Sequence, residues 1–142
     1  MLLTPEKSLC KKNQAIVVSR DKGTRREHRA ANPQRQFELR HYKLDGELVR
    51  QQTCCDFLLI NDSRKKAYFI ELKGENIDKA VKQLEAGERY CKSELRGYES
   101  LFRIVCSKAK THKLQDNGVR KFREKCGNRL QIKVNSLQET LE

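Results

Sequence analysis

Tryptophan is absent from this chain of 142 residues, and aromatic side chains make up only 6% of it. With hydrophobic residues at 37% and charged residues at 35%, whatever core forms has to be compact. No apolar run reaches membrane-spanning length, so no membrane partner is expected. The six cysteines (10, 54, 55, 91, 106, 126) form no Cys-x-x-Cys pair, and the histidines at 28, 41 and 112 lie apart from them. That spacing argues against a structural zinc site. The thiols read as reduced, in a cytoplasmic protein, with Cys54 and Cys55 on opposite faces of a strand and Cys91 and Cys106 as small core residues. Met1-Leu2-Leu3 runs straight into Thr4-Pro5-Glu6-Lys7, unlike a signal peptide. Repeats and low-complexity tracts are missing too. One domain over residues 1–142 is therefore expected, with 1–23 as a loosely ordered basic lead.

What the chain does have is positive charge, +12 in all, which points to a polyanionic partner. Residues 1–35 carry a net of +6, residues 36–102 a net of zero and residues 103–142 again +6. Two basic wings thus flank a balanced centre. A nucleic-acid enzyme needs this arrangement, with cations for phosphates around carboxylates able to hold a metal. Arg25, Arg26 and Arg29 in the first wing, and Arg120, Lys121, Arg123 and Lys125 in the last, are the candidate phosphate contacts. His28, His41 and His112 have no partner at catalytic spacing and read as surface or substrate-side residues.

Along the chain, residues 15–19 suit a short strand, and residues 24–31 a helix capped by Thr24 and stopped by Asn32-Pro33. Asp45-Gly46 between residues 37–44 and 47–51 is a two-residue hairpin signal. Two apolar strands follow, at 55–60 and 67–73, separated by Asn61-Asp62-Ser63. Asn76 can cap a helix with Asp78 in its first turn and Ile77, Ala80, Val81, Leu84 and Cys91 as its buried stripe. A strand at 101–106, a basic helix at 115–125 ended by Gly127, and a strand at 130–134 complete the order. The expectation is an α/β fold with a central mixed sheet flanked by helices, three antiparallel strands leading into a parallel pair.

Asp56 opens the first apolar strand, and Glu71 and Lys73 lie two apart in the second, on one face, with Tyr68, Ile70 and Leu72 on the other. Burying an acid and a lysine in such a run is costly without partners. An acid-x-Lys triplet would arise by chance roughly twice at this composition. This chain has one, and it falls in an apolar strand. A hard cation takes one or two carboxylates plus waters and substrate phosphate. Asp56 and Glu71, with the carbonyl of Leu72 between Glu71 and Lys73, could supply those oxygens to Mg²⁺ or Mn²⁺. Lys73 could orient the attacking water or offset charge building up on the phosphate. A plain ion pair at a sheet edge is the competing explanation.

The combination of Asp56, Glu71-Leu72-Lys73 and a helix directly after resembles the PD-(D/E)xK nuclease superfamily, over about residues 24–106. The residue before Asp56 is Cys55 rather than the proline of the motif's name. The resemblance implies a restriction-endonuclease-like αβββαβ core, with Asp56 and Glu71 as metal ligands and Lys73 as the catalytic lysine. It adds a glutamate from the first helix, here Glu27 or, failing that, Glu38. It also implies a role for Gln83 on the following helix, where Tyr90 is a weaker candidate because it lies seven residues on instead of four. The implied activity is phosphodiester hydrolysis, with DNA the expected substrate and a homodimer the expected assembly. A catalytically inactive nucleic-acid-binding, inhibitor or accessory protein on the same fold is the alternative.

Overall fold

The two apolar runs become the middle of a five-stranded sheet because few of their residues can face water. β4 (Phe57–Asn61) is buried at every position, and β5 (Lys66–Lys73) at all but its ends. That is the pattern of strands covered on both faces. The computed structural model describes residues 1–107 and 116–142. In it the sheet runs in the order β3 (Leu39–Lys43), β4, β5, β6 (Glu99–Cys106), β7 (Leu130–Val134). β3, β4 and β5 form an antiparallel meander, whereas β6 is parallel to β5 and β7 to β6.

α1 (Ile77–Cys91) makes the crossover from β5 to β6. It begins where the Asn76 side chain accepts the Lys79 N–H at 2.9 Å, and it buries the expected stripe. α2 (Asn117–Cys126) packs beside it, buries Val119 and Phe122, and stops at Gly127, where φ is +58°. Gln115 and His112 lie outside the described residues. Both helices cover the same face of the sheet, against Phe69, Phe102 and Ile104. Position 87 on α1 has to be glycine. A β-carbon there would come 2.5 Å from the Cys55 sulfur, so the helix lies tight against the chain entering β4.

The opposite face carries no helix among the described residues. A second sheet covers it, in the order β1 (Ile16–Arg20), β2 (Glu27–Ala31), β8 (Ser136–Thr140). Val17, Ala30 and Leu137 point inward and pack on Leu59, Ile70 and Val105. The α/β class and the mixed central sheet are therefore present, with helices on one side and strands on the other.

Several local expectations give way to this packing. Residues 24–31 are not a Thr24-capped helix. Glu27–Ala31 is a strand whose burial alternates with period two, because it pairs with β1 on one side and β8 on the other. Asp45-Gly46 does not join two paired strands. Residues 44–49 close into a tight turn through Val49 N–H to Leu44 O (2.9 Å), and β3 pairs with β4 instead. Cys54 and Cys55 both approach Gly87 and share one core cluster rather than facing opposite ways. All six cysteines are unpaired thiols. The N-terminal lead is packed. Leu3 is buried, the Leu2 and Leu3 amides donate to the Glu94 carboxylate (2.9 Å each), and Leu9 N–H and Lys12 O bond the outer edge of β3. Covering that edge removes an unpaired strand from solvent. No helix among the described residues is long and apolar enough to cross a membrane.

His28 and His41 are buried between the two sheets rather than exposed, since strand parity turns both inward. Polar partners make this tolerable. His28 Nε2 donates to Glu139 Oε2 at 2.6 Å, and His41 Nε2 meets the Ser19 hydroxyl at 2.9 Å. Arg103, almost fully buried on β6, clamps Glu139 through two bonds of 2.8 and 3.1 Å and lies over the Tyr68 ring. Burial alone would raise the Glu139 carboxyl, but the His28 and Arg103 hydrogen bonds hold it at about 2. Burial lowers His41 to about 4, and His28 nearby adds to the effect.

These shifts fix an acid limb of stability. The Glu139 contribution is complete above its ordinary value of 4.5 and disappears as pH falls toward 2. The His41 contribution is complete above 6.5 and disappears toward 4. Between pH 6.5 and 4.5 the loss at His41 is offset by Glu71, a raised carboxyl elsewhere in the sheet. Urea unfolding should therefore show wild type losing stability chiefly below pH 4.5. Glu139→Gln should cost about 3–5 kcal/mol at neutral pH, because it leaves Arg103 buried without its counter-charge. Its curve should also be flatter below pH 4.5.

Candidate active site

Asp56 and Glu71 meet because β4 and β5 are antiparallel with Phe57 opposite Ile70, which sets the next residues out, Asp56 and Glu71, across from each other. The contact is reciprocal. Asp56 N–H donates to Glu71 Oε1 at 3.1 Å, and Leu72 N–H donates to Asp56 Oδ2 at 2.9 Å. Each acid is held by a backbone amide from the strand opposite its own, so register and site geometry are one constraint. Both are buried, Asp56 at 7% exposure and Glu71 at 2%. Glu71 lies on the α1 side of β5 with Ala67 and Phe69, while Tyr68, Ile70 and Leu72 face the second sheet. Lys73 is half-buried, and its charge acts on Glu71.

Gln83 reaches this site from α1. In the amide orientation that satisfies its neighbours, its nitrogen donates to Glu71 Oε2 at 3.2 Å and to the Lys79 carbonyl at 3.3 Å. Tyr90 does not join it; its side chain is exposed and bonds Gln52. Two further residues do. Lys43 Nζ lies 3.4 Å from Asp56 Oδ1 and 3.4 Å from Asp21 Oδ1, at the end of the first strand of the meander. Lys43 stands opposite Phe57 in the sheet register, and Asp21 follows β1 directly. Only strand pairing could have exposed these two, because neither sits in a distinctive local pattern.

The electrostatics are those of crowded acids. Burial raises Glu71 to about 9, the neighbouring Asp56 charge adds to this, and Lys73 and the Asp56 amide offset only part. Burial also raises Asp56, against the pull of the Leu72 amide and Lys43. Burial would lower Lys43, but the charges of Asp56 and Asp21 more than offset it and leave it raised. Glu71 therefore holds a proton at neutral pH.

No protein-family model, curated protein or solved structure matches the chain. The site has to be judged on its own chemistry. Among the described residues no group of three or more His, Cys, Asp or Glu side chains is arranged to hold a metal. Two carboxylates and a backbone carbonyl are nonetheless an oxygen-only donor set that suits Mg²⁺ or Mn²⁺, which keep several waters. The raised Glu71 reflects its burial first and the adjacent Asp56 charge second. Asp56, Glu71 and the Leu72 carbonyl supply the oxygens that would hold such an ion.

The other candidates fall elsewhere. The helix expected to carry Glu27 is a strand, and the Glu27 carboxylate is taken by Arg20 (3.7 Å) and Arg29 (3.2 Å) in the second sheet. Glu38 pairs with Lys12 at 3.4 Å. Arg29 is thereby committed to Glu27. Arg26 is half-buried near Cys106, with its Nε unpartnered, and Cys106 is the β6 neighbour of Lys73. Arg25 is exposed, as are Arg120, Lys121 and Arg123 on α2.

The Glu71 shift has a sign opposite to that of Glu139. Its folded value lies above its ordinary 4.5, so the folded state binds the extra proton and stability falls as pH rises from 4.5 toward 9. Glu71→Gln keeps the acceptor for the Asp56 amide and removes the titration. Thermal melts should place this variant near wild type at pH 5 and several degrees above it at pH 8. An equal gap at both pH values would contradict the buried-proton assignment.

Proposed function

We propose that this protein is a metal-dependent nuclease of the PD-(D/E)xK kind, hydrolysing phosphodiester bonds, with DNA as substrate. The observation that carries the proposal is the reciprocal Asp56–Glu71 lock beside Lys73, at the carboxyl end of the parallel strands. Open α/β sheets place their sites at that end. The succession β3, β4, β5, α1, β6 is compatible with the βββαβ part of that family's core. The leading helix of that core has no counterpart among the described residues, where β1 and β2 stand instead.

A divalent ion held by Asp56, Glu71 and the Leu72 carbonyl would polarise the scissile phosphate and make a water more acidic. The chain's own groups do the rest. Leu72 N–H fixes Asp56 Oδ2, which leaves Oδ1, now facing Lys43, as the oxygen free to turn toward a ligand. Gln83 holds Glu71 Oε2 in place when the Glu71 proton passes to solvent water on metal binding. Lys73 orients the attacking water or offsets charge on the phosphate. Cations of the basic wings hold flanking phosphates, and a homodimer would place one site on each strand of a duplex. One observation favours a second reading, an inactive binder on the same fold: Lys43 already neutralises Asp56, so the pair can rest closed.

Cleavage of plasmid and branched DNA with Mg²⁺ or Mn²⁺ separates the two. Wild type should cut, and Glu71→Ala and Lys73→Ala should each lower the rate by roughly a hundredfold or more. Mn²⁺ should also raise the melting temperature of wild type but not of Asp56→Asn. DNA binding that ignores EDTA, with no cleavage by wild type, would establish the binder instead.

A further inference from the structure

A groove of about 800 Å³, within the size range of ligand sites, opens at Lys43, the ion-pair partner of Asp56. Its walls come from three separate parts of the chain. Lys7 stands in the N-terminal segment, Arg20 and Lys22 at the β1–β2 turn, and Arg50 after the turn that follows β3. Lys43 lines it where it meets Asp56. Five cations thus face the groove against two acids, Asp21 and Glu47.

The cations are unequally committed. Arg20 pairs with Glu27, and Lys43 is shared between Asp21 and Asp56. Among the described residues no carboxylate lies within ion-pair distance of Lys7, Lys22 or Arg50. The groove is also partly apolar. Leu9, 60% exposed, and Leu48 line it, and two such side chains between cations suit a ligand that alternates charge with flat apolar surface. Single-stranded nucleic acid has that alternation, phosphates along one side and bases along the other.

We propose that this groove binds single-stranded DNA and leads its backbone past Lys43 to the Asp56–Glu71 pair. The proposal rests on the nuclease reading only for what happens at the end of that path. It makes the preferred substrate one with an unpaired segment, such as an overhang or flap, next to the bond that is cut. Lys43 then has two duties: it neutralises Asp56 in the free protein and meets a phosphate once a strand arrives.

Binding can be read without metal, which keeps it apart from cleavage. Fluorescence anisotropy in EDTA would compare a labelled oligothymidylate with a blunt duplex of equal length. Wild type should bind the single strand about fivefold or more tightly than the duplex. The double charge reversal Lys22→Glu/Arg50→Glu, at two exposed positions, should weaken single-strand binding about tenfold or more. It should also lower the slope of log affinity on log salt by about 1 to 1.5, as expected for two lost phosphate contacts. Lys92→Glu, at the exposed far end of α1, is the control and should bind as wild type does. Thermal melts of each variant establish that the fold is kept. The proposal is overturned if the duplex binds as tightly as the single strand, if the groove variant binds normally, or if Lys92→Glu loses as much. A wild type that cuts DNA while the groove variant binds normally sinks the groove alone. Groove binding as expected, with no cleavage, sinks the nuclease reading alone.

Discussion

Two carboxylates buried side by side, each held by a backbone amide of the facing strand, form the constraint on which the rest of the molecule depends. Asp56 and Glu71 can occupy the end of a dry sheet only because the Leu72 and Asp56 amides offset part of their desolvation. The offset is incomplete, as the Glu71 value of about 9 records. A slip of one residue between β4 and β5 would break both bonds and turn Glu71 to the other face of the sheet. Register is therefore under two pressures at once, the apolar pattern and the acid pair. The cost that remains is mainly desolvation, and Lys43, which bonds Asp56, also lines a cationic groove.

The scaffold behind the pair is correspondingly stiff. Helices α1 and α2 close one face of the central sheet, and Gly87 lets α1 settle against the chain leading to Asp56. The second sheet closes the other face, bound to the first by apolar contact and by the Arg103–Glu139–His28 network. Here the buried charges are matched, and Glu139 is held low. At the acid pair only Asp56 has a bonded cation, Lys43, and burial holds Glu71 high. One interior thus contains a charge-matched cluster that fastens two layers and a crowded acid pair that holds a proton.

Features carried by neighbouring residues were legible before any coordinates. The two apolar strands, the Asn76 cap, the buried stripe of α1, the strand ending at Cys106 and the glycine stop of α2 all depend on contacts within a few positions, and all are found within a residue or two of where they were expected. Residues 24–31 went the other way. Alanine, arginine and glutamate favour a helix locally, but the segment pairs with β8, more than a hundred residues away in the chain. Such a partner leaves no trace in a short window. The buried histidines have the same origin, because their partners Glu139 and Ser19 come from strands that only the fold brings near.

For the site, the amino-acid order alone determined that an acid and a lysine two apart share one face of a buried strand, and that another acid opens the strand before it. Period-two alternation and burial are enough for that. The order also placed Gln83 on a helix face apart from the buried stripe, and the structure turned that residue to Glu71. Only the tertiary structure decided that Lys43 and Asp21 complete the cluster, that Glu27 belongs to a different sheet, and that the cations of the N-terminal segment share a groove with Lys43. Those placements depend on which strands pair and which turns converge. Such long-range contacts are chosen by the burial of the whole chain, not by any stretch of it.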